Sequence, residues 1–249
     1  MTLTKEEYHD WLSFLLPDDS GVIAVLKCTV DESGTHGNAQ VPCVAGCVAT
    51  GRQWRLFANE WRPLIAGLPK GYHAKRGDCA VLNCELADLM WRRLDHTRAI
   101  TIIESEYRAY APAKFRSIIG SAYAVAVQAL IYRMARWCDE KKINHVAYVL
   151  EVGHKSQKQV DRTFRNVMAS PVLRQRNHMW SYTWASKSDI TLHPADLLSH
   201  ELATFGPLGE MLWKRSKQEH IGREEIEQIA DVVLRDVALA KSQGRKVPR

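Results

Sequence analysis

Three acidic residues stand where elements are predicted to end, at positions from which a side chain can do chemistry. Asp31 closes an apolar run, Val22 to Val30, that reads as a strand. Glu151 closes another, within His145 to Val152. Asp196 lies in the first turn of a helix predicted over His193 to Thr204. If the first and fourth strands are parallel neighbours, Asp31 and Glu151 share one edge of the sheet. A chain leaving a fifth strand then brings Asp196 to the same edge. Three converging carboxylates make a hard oxygen site suited to Mg²⁺ or Mn²⁺. Two such ions, about 3.5–4 Å apart, would clamp the attacking and leaving oxygens of an in-line phosphoryl displacement. Crowded without metal, the acids repel one another, so Asp31→Asn or Asp196→Asn is expected to stabilise the metal-free protein. A turn former at Asp31 and a helix-start charge at Asp196 have the same signature, so pattern alone leaves that alternative open.

Other residues surround this set. His73 and Lys75 lie in a loop bounded by Gly71 and Gly77 and are candidates for phosphate contact, though a solvated loop pair looks the same. His154 and Lys155 follow Glu151 closely. Lys155, Lys158, Arg162, Arg165, Arg174 and Arg176 form either a phosphate track beside the acids or a solvated helix face. Glu104 and Glu106 are two apart on a predicted strand and so share a face. Cys43, Cys47, Cys79 and Cys84, with His73, lack the tight paired spacing of a zinc site, and Cys43 and Cys47 read as small core residues. Trp180, Tyr182 and Trp184 alternate on one strand face and read as packing rather than as a base-stacking platform. The chain has no Walker loop and no G-x-S-x-G elbow.

Periodicity supplies the elements that must position these groups. A short helix is predicted over Tyr8 to Leu16. Strands follow at Val22 to Val30 and Val41 to Thr50, joined as a hairpin with a long loop. Helices at Gln53 to Ala66 and Ala80 to Leu94 precede a strand at Ala99 to Tyr107. A long helix, Ser117 to Glu140, leads to the strand His145 to Val152. Then come a polar helix (Lys155 to Ala169), a strand (Ser181 to Ala185), the helix at His193 to Thr204, and an amphipathic helix over Arg223 to Lys241. Gly244 to Arg249 reads as a frayed basic tail. Strands separated by helices, after an initial hairpin, predict an α/β fold with a mixed sheet: antiparallel at the hairpin, parallel elsewhere. Residues 1–21 read as a helical extension, 22–204 as the domain with a helical insertion, and 205–249 as a C-terminal helix and tail.

The chain has 249 residues, 46% hydrophobic and 25% charged, which excludes a mainly disordered polymer. Lys and Arg outnumber Asp and Glu by 34 to 28, a net charge of +6 that suits a polyanionic partner such as nucleic acid. The first ten residues lack a basic stretch leading into an apolar one, so no secretory signal is expected. The longest charge-free run, Ser117 to Tyr132, is too short and polar to span a membrane. The six scattered cysteines read as reduced thiols of a cytoplasmic protein.

Asp31-Glu32-Ser33-Gly34-Thr35, just past an apolar strand, resembles the opening motif of the domain-of-unknown-function 3800 family, in the ribonuclease H-like superfamily. Val44-Ala45-Gly46-Cys47-Val48 is similar to that family's glycine-containing strand. The helix with Trp54 and Trp61, followed by Tyr72-His73-Ala74-Lys75, is similar to its next block. Glu151-Val152-Gly153 resembles its second acid, and Leu192 to Glu201 resembles its last motif. The resemblance covers Val22 to Thr204. It implies a ribonuclease H-like mixed sheet and a metal-dependent phosphodiesterase site with Asp31, Glu151 and Asp196 as ligands of Mg²⁺ or Mn²⁺. His193-Pro194 stands where the family usually has Gln-Ala. His193 either packs at the helix start with no chemical role or orients Asp196 or a nearby water, and the second reading predicts a pH dependence between about 6 and 7 that His193→Gln removes. The combined expectation is a metal-dependent nuclease with Asp31, Glu151, Asp196 and His193 in the site. His73, Lys75, Lys155, Lys158 and Arg162 would contact nucleic acid. A non-catalytic nucleic-acid- or protein-binding module on the same fold is the rival.

Overall fold

The computed structural model describes residues 25–33, 41–76, 79–154, 156–205 and 217–242. The helix expected at Tyr8 to Leu16, the Gly34-Thr35 end of the first motif, Lys155 and the basic tail lie outside these residues.

The hairpin forms as expected. β1 (Val25–Ser33) pairs antiparallel with β2 (Cys43–Ala49), Asp31 opposite Ala45. β2 continues antiparallel to β3 (His96–Ile102). On its other side β1 runs parallel to β4 (His145–Glu151), with Val30 opposite Leu150, and β4 runs parallel to β5 (Met179–Ala185). A sixth strand, β6 (Lys217–Ile221), lies parallel to β3. The order β5-β4-β1-β2-β3-β6 contains the five-strand ribonuclease H-like sheet, extended by one edge strand.

β2 is buried along its whole length because each face has its own core. Val44 and Val48 point to α5 (Ala122–Lys141), which fills one face with Leu130, Met134 and Trp137. Gly46 lets that helix sit close: a Cβ there would meet Met134 Cε at 3.0 Å and Leu130 Cδ2 at 3.2 Å. Cys43, Ala45, Cys47 and Ala49 point to the opposite core. It is built by Trp54, Phe57 and Trp61 of α1 (Gly51–Ile65), Leu86, Leu89 and Met90 of α2 (Ala80–Arg93), and Leu197 and Leu198 of α8 (His193–Phe205). Thr50 caps α1 reciprocally with Gln53, which fixes where β2 turns into the helix. Cys43, Cys47 and Cys79 are buried and Cys84 is exposed.

Two predicted elements divide differently. The strand expected to run to Tyr107 ends at Ile102, and Glu104 and Glu106 occupy the first turn of α3 (Glu104–Tyr110). They share no strand face. Acids suit a helix start, and the apolar run stops at Ile103. The long helix expected from Ser117 is broken into α4 (Ala113–Ile119) and α5, bent by 70°. Gly120, at φ +100°, makes the break, and Ser121 restarts the helix by accepting a bond from the Ala124 amide. Among the described residues no single helix is long and apolar enough to cross a membrane.

α6 (Gln157–Ala169) and α7 (Pro171–Arg176) connect β4 to β5. Tyr182 and Trp184 donate to Asp161 Oδ1 of α6 at 3.0 and 3.2 Å, whereas Trp180 is exposed beneath Arg174. α9 (Arg223–Ser242) follows β6 and sends Ile226 and Ala230 into the first core.

Candidate metal centre

Parallel pairing of β1 and β4 brings Asp31 and Glu151 side by side where the two strands end. Ligand sites of open α/β sheets collect at such carboxyl ends. α8 packs on β1 and β2 and delivers Asp196 from its first turn. All three carboxylates are at least nine-tenths buried. Asp31 Oδ1 accepts the Glu32 amide at 2.7 Å. Its Oδ2 is buried with no geometric hydrogen-bond partner, and the Glu151 carboxyl lies beside the Asp31 side chain. Asp196 Oδ2 accepts from His73 Nδ1 at 3.0 Å and from the Ala74 amide at 2.9 Å. Lys187 Nζ lies 3.3 Å from Glu151 Oε1 and 3.7 Å from Asp196 Oδ1.

These surroundings set the charges. Burial pushes the Asp31 carboxyl well above the ordinary range, and Glu151, Glu32 and Asp196 push it further. Glu32 rises to about 7, through burial and the nearby Glu151, partly offset by Lys187 and by the Tyr123 hydroxyl donating at 3.3 Å. Burial alone would raise Asp196 too, but His73, Lys187 and the Ala74 amide outweigh it and hold Asp196 at about 2. Lys187 also resists the pull of burial: Asp31, Asp196 and Glu151 together raise its pKa and keep it an ammonium.

Two of these residues had no role in the sequence reading. Glu32 was visible as Asp31's neighbour. Alternation put it on the opposite strand face, but it reaches the cluster beneath Tyr123. Lys187 sits in the polar turn after β5, where no periodicity marks it. His73, expected at phosphate, instead bonds Asp196, and it makes the bond expected of His193. His193 has both ring nitrogens occupied elsewhere: Nδ1 accepts from Trp61 Nε1 at 2.8 Å, and Nε2 donates to the Lys187 carbonyl at 3.1 Å. Nδ1 can accept only in a neutral ring, and burial lowers the pKa in keeping with that.

The basic stretch does not form one track. Lys75 and Lys158 are exposed. Arg162 donates to the Ile118 carbonyl at 2.6 Å, and Arg165 pairs with Asp161 at 2.7 Å. Arg174 bonds the Met179 carbonyl at the start of β5, the end away from Glu151. His154 is buried, its ring 4.1 Å from Tyr123 and its Nδ1 accepting from Ser156 N.

Among the described residues no three His, Cys, Asp or Glu side chains are grouped closely enough to hold a metal ion as they stand. The chemistry of the donor set nevertheless fits a hard divalent cation. It is all oxygen, it repels itself at Asp31, and Asp31 Oδ2 is buried with no geometric hydrogen-bond partner.

The strand order is that of a ribonuclease H-like fold. No family model matches the chain, and no curated protein matches it. Among solved structures it is similar to the PCNA:RNase HII complex from Archaeoglobus fulgidus, at 14% identity and TM-score 0.38, over 89% of this chain and 91% of that one. It is also similar to Bst-RNase HIII in complex with Mn²⁺, at 10% identity and TM-score 0.39, over 92% of this chain but 58% of that one. Neither lends a residue role to this chain.

Proposed function

We propose that this protein is a divalent-metal-dependent nuclease of the domain-of-unknown-function 3800 kind, with Asp31, Glu151 and Asp196 holding Mg²⁺ or Mn²⁺. The observation that carries the reading is the buried cluster in which Asp31 lies beside Glu151 and its Oδ2 has no geometric hydrogen-bond partner. A divalent cation bound there would supply Lewis-acid stabilisation of a phosphodiester's developing charge. The protein's part is orientation. His73 and the Ala74 amide fix one oxygen of Asp196 and leave the other toward the site. Tyr123 restrains Glu32 beside it. Lys75, Lys158 and Arg162, with Lys155, are the proposed nucleic-acid contacts. A second reading, a binding module without catalysis, is favoured by one observation: Lys187 already neutralises two of the acids.

Cleavage of labelled DNA and RNA with Mg²⁺, Mn²⁺ or EDTA, by the parent and Asp31→Asn, tests the proposal. Metal-dependent cleavage lost in Asp31→Asn is expected. Binding without cleavage in any metal would favour the module. In the same assays, Lys158→Ala should flatten the salt dependence of binding by nearly one unit. An unchanged slope would remove this helix face from the interface.

A further inference from the structure

Lys187 belongs to the turn that follows β5, where the Asp189 amide bonds the Ser186 carbonyl. Its backbone is fixed there, because its carbonyl accepts from His193 Nε2, itself held by Trp61. Only the side chain is left to move. It is 43% exposed and carries its ammonium on a flexible four-carbon stem. The ammonium lies between Glu151 Oε1 and Asp196 Oδ1, at 3.3 and 3.7 Å. A cation shared by two carboxylates takes that place. Asp31 Oδ2, meanwhile, stays buried without a donor, so the lysine satisfies part of the acidic cluster and not all of it.

A divalent cation binds carboxylate oxygens at about 2.0–2.6 Å. Bound to both Glu151 and Asp196, it would stand in contact with Nζ, and the two positive charges would repel strongly at that distance. The ammonium and the metal exclude each other from the same pair of acids. We propose, resting on the metal-site reading above, that Lys187 is an internal counter-ion: its ammonium closes the carboxylate site of the metal-free protein and swings out when a divalent cation enters. The latch raises the metal concentration at which the site fills. His193 is a positioning residue in this device, since it fixes the backbone from which the lysine reaches.

Calorimetric titration of the whole chain with MnCl₂, comparing the parent with Lys187→Met and Lys187→Arg, tests the latch. Lys187→Met should bind Mn²⁺ about ten-fold more tightly or better, and Lys187→Arg should stay near the parent. Equal or weaker binding by Lys187→Met overturns the latch alone. Absence of Mn²⁺ binding by every form overturns the metal-site reading, and the latch with it. A measurement on the parent needs no variant: acetic anhydride labelling of Lys187, read by peptide mass spectrometry against exposed Lys75 and Lys158. Saturating Mn²⁺ should raise Lys187 labelling several-fold relative to those two. Unchanged relative labelling, with Mn²⁺ bound, overturns the proposal.

Discussion

Asp31 and Asp196 are both buried carboxylates, yet their neighbours drive them in opposite directions. Asp31 meets acids and one amide, and its pKa is raised; Asp196 meets His73, the Ala74 amide and Lys187, and is held at about 2. The equal treatment of the two acids expected from sequence is therefore corrected. Asp31→Asn removes a repelled charge and should stabilise the metal-free protein by about 1–2 kcal/mol. Asp196→Asn keeps a carbonyl acceptor but loses the charge that His73 and Lys187 face, and should destabilise by about 1–3 kcal/mol. Urea unfolding in EDTA decides between them; a stabilised Asp196→Asn would contradict the assigned contacts. His193 needs a similar correction. With both ring nitrogens bonded to Trp61 and the Lys187 carbonyl, it has none left for Asp196, so His193→Gln should not reshape an activity profile there.

Gly46 does at the level of elements what no side chain could: it lets α5 lie close against the middle of the sheet. Gly46→Leu would drive a side chain into Leu130 and Met134, lift α5 and cost on the order of 1–3 kcal/mol, measured as a lower unfolding midpoint. An unchanged midpoint would mean the helix is more loosely seated than the contacts indicate. The strands that carry the acids were legible because β1 and β4 are mostly apolar runs, largely buried on both faces, with an acid toward the end. α8 was legible from Pro194 near its start and its apolar body. The break at Gly120 was hidden inside a charge-free run, since burial keeps both α4 and α5 apolar. β6 was hidden for the opposite reason: Lys217-Gln218-Glu219-His220 is polar, and its place at the sheet edge comes from pairing with β3 and from Glu219 meeting Arg98 and Arg133. The site's acids could be read from the ends of two strands and the start of a helix, but Lys187 could not, because only the tertiary fold brings the turn after β5 back over Glu151.

At the scale of the whole molecule, the acidic edge makes folding stability depend on pH, and the sign can be worked out group by group. Glu32 titrates near 7 in the folded protein against an ordinary 4.5, so the folded state keeps a proton that the unfolded chain releases. Its contribution is fully present below about 4.5 and is lost as pH rises through 7. Asp31 acts in the same direction. Asp196 acts oppositely: it contributes stability above its ordinary 3.8, lost as pH falls through about 2. Histidines lowered by burial, such as His193, also lose their contribution on the acid side, so the parent's curve alone mixes signs between pH 5 and 6.5. Comparison with Glu32→Gln isolates Glu32 together with the part of the Asp31 shift that Glu32 causes, and both act in the same direction. In EDTA the variant should match the parent's pH trend at pH 4–4.5. It should then gain on the parent steadily to pH 8, by on the order of 1–3 kcal/mol in total. Saturating Mn²⁺ should shrink that gain, because a cation in the cluster favours the ionised form of Glu32 as well as of its neighbours. Unfolding free energies of both proteins across that range, with and without Mn²⁺, measure it. A difference that stays flat with pH in EDTA would place the Glu32 carboxylate in solvent rather than against Asp31 and Glu151.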